Sequence, residues 1–197
     1  MKCVSLTALL AFFGATAAHA DCAQDFRAMM DAHAKAGRYH SSAISTFQDK
    51  QVKMSVDVIV PSSFHVLEGP DGGKNETIVT ADAGWDKIGD GKWTQMSPEN
   101  HQKALKFFQS GLSSGFPDAT NVACLGQQDI EGQKLTGFSF ERVMAFGAQT
   151  FTDHIAIYKG SNNLPAILVG DRDTGKGKSH TVQHIEYDPG IEIKQPE

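Results

Sequence analysis

Cysteine is scarce in this 197-residue chain, three in all, and no two lie close enough in sequence to build a CxxC redox pair or a zinc site. Basic charge is short as well. Eighteen Lys and Arg against 23 Asp and Glu leave a formal charge of -5, which argues against a protein that grips nucleic acid through a basic face. Beyond residue 20 no apolar run approaches the roughly 20 residues that a helix needs to cross a bilayer, so no transmembrane segment is expected. Catalytic signatures are missing too: no serine sits at a recognisable nucleophile elbow or in a Ser-x-x-Lys helix start. Gly170-Asp171-Arg172-Asp173-Thr174-Gly175-Lys176-Gly177 nearly spells a phosphate loop but carries Gly177 where a Ser or Thr is required. It reads better as a glycine-rich hairpin loop, with Asp171 and Asp173 as solvated charges. The histidines are scattered, and the four-residue step from His180 to His184 suits a metal on a helix, whereas the pattern here is that of a strand. A non-enzymatic protein without metal or cofactor is the expectation.

What is present begins with an export signal. Lys2 precedes an apolar run from Val4 to Ala18 that ends in Ala18-His19-Ala20, a small-residue cleavage site. Residues 1–20 are therefore expected to be removed, leaving 21–197 as a single domain in the periplasm or secreted beyond it. Cys22 would suit a lipoprotein signal were Asp21 a small residue. Removal of the signal takes Cys3 and leaves Cys22 and Cys124, which an oxidising compartment would join as one disulfide; two separate buried thiols are the alternative.

The chain as a whole is 40% hydrophobic, and beyond residue 20 its pattern changes period twice. Phe26, Met29, Met30 and His33 are spaced as one face of a helix over Asp25–Lys35, and Gly37 stops it. From Arg38 the period is two. Val52, Met54, Val56, Val58 and Val60 share one face of a strand and Lys53, Ser55 and Asp57 the other, as in an antiparallel sheet with one wet side. Further strands follow at Ser63–Glu68 and Glu76–Thr80, and a hairpin brackets Gly89-Asp90-Gly91 between Trp85 and Trp93. Ser97-Pro98-Glu99 caps a second helix that reaches Ser110 or Ser114. Five more strands are expected, at Asn121–Leu125, Leu135–Val143, Phe151–Tyr158, Ala166–Val169 and His180–Tyr187.

Helix, strands, helix, strands without βαβ alternation is an α+β chain: a large antiparallel sheet of about ten strands that curls, with two main helices in or over its concave face. Such a sheet with two short helices leaves room for an apolar cavity. Its expected walls are Met54, Val56, Val58, Phe64, Ile78, Leu105, Phe108, Leu112, Phe140 and Ile155, although each of them singly suits an ordinary core.

An exported chain with this order of elements, the Gly84-Trp85 to Trp93 hairpin, the Ser97-Pro98 helix start, Leu164-Pro165-Ala166 and a final His184-Ile185-Glu186-Tyr187-Asp188-Pro189 resembles the LolA/LolB-like lipoprotein-carrier superfamily. The resemblance implies an unclosed β-barrel around lid helices, and a carrier whose partner is a lipid, an acyl chain or an acylated protein. An envelope interaction module with a filled core and a protein partner is the competing expectation.

Overall fold

The computed structural model describes residues 15–196 apart from 71, 72, 110, 147, 148, 174 and 176. The first 14 residues of the expected export signal, Asp71 and Gly72 between the expected strands Ser63–Glu68 and Glu76–Thr80, Ser110, and Thr174 and Lys176 of the loop near 175 lie outside the described residues.

The first helix, α1, runs Ala15–Ala36, so the expected cleavage point after Ala20 falls inside it and Asp25 is not its start. It ends where Gly37 takes a φ of 72° and its N–H bonds the carbonyl of His33. Eleven strands follow: β1 Arg38–Phe47, β2 Lys50–Ile59, β3 Ser63–Gly69, β4 Asn75–Val79, β5 Gly84–Ile88, β6 Thr94–Gln95, β7 Thr120–Ile130, β8 Gln133–Phe146, β9 Gln149–Lys159, β10 Pro165–Asp173 and β11 Lys178–Tyr187. Between β6 and β7 lie helix α2, Pro98–Gln109, and a 3-10 turn at Leu112–Ser114.

All eleven strands form one antiparallel sheet in the order β6-β5-β4-β3-β2-β1-β11-β10-β9-β8-β7. It is two meanders joined where the first strand pairs with the last, Tyr39 opposite Tyr187 and Phe47 opposite Ser179. The edges β6 and β7 do not pair with each other, so the sheet stays unclosed. Since α2 is the link between those two edge strands, chain connectivity alone carries it across the sheet.

Alternation decides which side is core. On the concave face Phe26, Met29 and Met30 of α1 pack with Tyr39, Val58, Phe138, Phe140, Ile155, Ile157, Leu168 and Ile185, contributed by six different strands. Phe26 sits 5.9 Å from Phe138 and 5.1 Å from Phe140, centroid to centroid. Cys22 at the start of this stripe is bonded to Cys124 of β7, with a Cα–Cα distance of 5.6 Å, so the helix is stapled to the sheet edge. A smaller cluster of Leu135, Tyr158 and Ile167 occupies the opposite face. There the tip of the β7–β8 hairpin reaches back over the sheet, and Glu131 lies 3.3 Å from His184 of β11.

Polar groups are buried here too, among them His33, Ser41 and Asp153. His33 is fully buried, with Nδ1 2.7 Å from the Tyr187 hydroxyl and its ring against Tyr39. Burial lowers its pKa from 6.5 to about 4, with the nearby backbone of Leu112 pulling weakly the other way. The unfolded chain binds the proton first as pH falls, so the stability from neutral His33 is complete above pH 6.5 and is lost on the way down to pH 4. The loss should amount to about 2–3 kcal/mol by pH 4.5. Urea midpoints at pH 7.5 and 4.5 measure it, and His33→Gln should flatten the dependence by about one proton.

Candidate ligand-binding cavity

The two helices divide the concave face unequally. Helix α1 fills the side of β7 to β10. Helix α2 starts with the expected cap, Ser97 Oγ accepting from the N–H of Asn100, and is pinned by His101, whose Nε2 is 2.9 Å from the carbonyl oxygen of Thr80. His101 is the only residue of α2 that is buried. Further along, Phe108 stacks on Phe64 with centroids 4.5 Å apart, Gln109 donates to the carbonyl of Pro61, and Phe107 remains 63% exposed. A helix held so lightly does not seal the sheet.

Beneath its C-terminal end lies a cavity of about 280 Å³. Its walls are Met54, Val56 and Val58 of β2, Phe64 and Val66 of β3, Ile155 of β9 and Leu168 of β10, with Phe107, Phe108, Leu112 and Phe116 as the roof. Polar side chains enter at few points: Tyr39, Ser41, Ser113, Gln183 and Arg142. The β2 stripe grades along its length, from Val58 at 1% exposed to Met54 and Val52 at 36%, because the outer end of the strand lines the mouth where no helix covers it.

Seven of the ten residues named from sequence, Met54, Val56, Val58, Phe64, Phe108, Leu112 and Ile155, meet around this space. Three do not. Ile78 pairs with His65 and Trp85 and so points to the convex face, whereas its neighbour Val79, opposite Phe64, is the inward residue. Phe140 is inward but lies under Phe26 and Phe116, which makes it core. Leu105 is half-buried on α2 and does not reach the cavity.

The charged wall was not visible in the sequence. Arg172 belongs to β10, not to a solvated loop, and donates from Nε and Nη2 to the two oxygens of Asp153 on β9. Arg142 of β8 donates from Nε to Asp153 Oδ2 at 3.1 Å and lies over the Phe116 ring at 5.3 Å. Burial alone would raise the Asp153 carboxyl, but the hydrogen bonds and charges of Arg172 and Arg142 together hold it below the usual carboxylate range. Strand alternation was the available signal: Arg142 continues the inward series of Phe138 and Phe140, two residues at a time.

The other polar side chains are used locally. His40, His65, His154, His180 and His184 each lie against a separate carboxylate, on Asp57, Glu76, Glu141, Asp171 and Glu131. Among the described residues no three His, Cys, Asp or Glu side chains converge as metal ligands would. Gly111-Leu112-Ser113-Ser114-Gly115 spells a nucleophile-elbow pattern, yet it follows a helix, and Ser113 Oγ donates to the carbonyl of Phe108 at 2.6 Å. Among the described residues no helix is long and apolar enough to cross a membrane.

No protein-family model matches this chain, and no curated protein matches it in sequence. Solved structures do. The lipoprotein LppX of Mycobacterium tuberculosis is similar with a TM-score of 0.57 at 14% identity, over 89% of this chain and 99% of LppX. LprF from Mycobacterium bovis is similar with a TM-score of 0.54 at 14% identity, over 90% of this chain and 97% of LprF. The chain shares their fold. At that identity the likeness reaches the arrangement of strands and helices, while the side chains that line the cavity are this chain's own.

Proposed function

We propose that this protein is a non-enzymatic carrier that holds the acyl chain of a lipid or an acylated protein between the curved sheet and α2, and that it does so outside the cytoplasm after cleavage of residues 1–20. The observation that carries the reading is the apolar cavity roofed by a helix with one buried residue. Each methylene moved from water into such a space contributes about 0.8 kcal/mol, so an acyl chain needs no polar anchor to be retained. Helix α2 then acts as the lid, swinging on the His101 end. The Cys22–Cys124 bond suits an oxidising compartment. The fold shared with a lipoprotein, LppX, and the resemblance to the LolA/LolB-like carriers support the same reading.

Val56 and Phe108 are half-buried cavity walls. Changing either to Asn is expected to weaken uptake of a fluorescent fatty acid by about tenfold, while stability changes by less than about 1 kcal/mol. Titration of the probe beside urea denaturation of the same variants checks this. Loss of stability without loss of uptake would show these residues to be ordinary core.

A further inference from the structure

The cavity does not end in hydrocarbon. Against the same Met54, Ile155 and Leu168 lies a second recess of about 260 Å³ whose lining turns polar, with Arg142, Arg172 and Asp153 on one side and Ser45, Thr181 and Gln183 on the other. Alternation explains the change, since Arg142, Asp153, Arg172 and Thr181 all occupy inward positions of their strands. Between them stands Gly170, where an added Cβ would find only Leu168 Cδ2 at 3.9 Å, so the floor of the recess is open space.

Three charges face this space, two guanidiniums and one carboxylate, and they do not cancel. Asp171, the other acid at the recess, turns away to His180 Nδ1 at 2.8 Å. Asp153 is 6% exposed and takes up the Nε and Nη2 edge of Arg172, whose Nη2 also reaches Met144 Sδ. A guanidinium has five N–H donors in a fixed fork, and the Nη1 side of Arg172 bonds to nothing among the described residues. One net positive charge with an open donor edge, set at the end of an apolar cavity, fits a paired carboxylate or phosphate and leaves a neutral end group nothing to neutralise.

We infer that the ligand is an amphiphile whose acyl chain lies under α2 and whose anionic head group, a carboxylate or a phosphate, is held in the recess by Arg172 beside Arg142. This rests on the carrier reading and adds the chemistry of the cargo. Asp153 is a positioning residue here: it aims both guanidiniums and keeps the pair from repelling.

The test compares dodecanoate, dodecyl phosphate and dodecanol at pH 8 by calorimetric titration of the full mature protein. The wild type should bind at least one of the anions about tenfold more tightly than the alcohol, and whichever anion binds better names the source of the head group. Arg172→Met should bring that preference to about twofold or less, and Arg172→Lys should keep part of it. Equal wild-type affinity for anion and alcohol overturns the assignment without needing any variant, and so does a folded Arg172→Met protein with its preference intact. Failure to bind any of the three contradicts the carrier reading itself.

Discussion

Replacing Cys22 and Cys124 together by serine is expected to destabilise the fold by about 4–5 kcal/mol, because the bond spans 102 positions and its loss returns that loop's entropy to the unfolded chain. Against the roughly 5–15 kcal/mol that hold a typical domain together, such a loss leaves little in reserve. The effect should be seen first in α1. Phe26, Met29, Met30 and His33 lie on the one face of the helix that is buried, and the disulfide fixes the end of that face to β7. Urea denaturation gives the magnitude, and hydrogen exchange should show the amides of Phe26 to His33 losing protection before those of β9 and β10. A double-serine protein within about 0.5 kcal/mol of the wild type would mean that the packing of α1 alone fixes its position.

Phe140→Ala is expected to cost about 3–5 kcal/mol, the range for an aromatic side chain removed from a packed core. Its ring is 2% exposed and is held between Phe26 at 5.1 Å and Phe116 at 4.9 Å, so the hole left behind has nothing to close it. Phe108→Ala is the matched control. That ring has one aromatic partner, Phe64, and borders space already empty, so truncation should cost about 1 kcal/mol. The difference between the two is the energetic boundary between core and cavity wall. Chemical denaturation of both variants measures it, and equal costs would place Phe108 in the core.

Much of this molecule could be read from its sequence wherever one physical rule acts alone. Alternation in β2 put Val56 and Val58 on the inner face because every second residue from Val52 to Val58 is valine or methionine and the intervening Lys53, Ser55 and Asp57 are polar. The Ser97 cap was equally plain. The disulfide followed from the two cysteines that remain once residues 1–20 are set aside. Reading failed where two rules compete. In β4 the adjacent Ile78 and Val79 are both apolar and both buried, on opposite faces, and a period of two cannot say which is inward. The turn between β1 and β2 holds Gln48 and Asp49 at φ of 47° and 63° without a glycine to announce it. Strand β7 hides its extent in register shifts around Asn121–Val122 and Leu125, so its length was underestimated. Phe140 looked like cavity wall because only tertiary packing brings Phe26 and Phe116 over it.

The cavity's polar end was harder still. A charge on a strand ordinarily marks the wet face, which argues against the inward position that alternation with Phe138 and Phe140 gives Arg142. Arg142 and Arg172 are inward because Asp153, on the strand between theirs, pairs with both, a compensation between distant parts of the chain that no local pattern carries.

The central claim is that the concavity holds an acyl chain, and the most direct measurement is mass spectrometry of an organic extract of the protein, purified without detergent from the cells that make it. The account predicts a lipid or fatty acid at close to one mole per mole of protein. Protein that yields no extractable amphiphile and takes up no fluorescent fatty acid when offered one would contradict it.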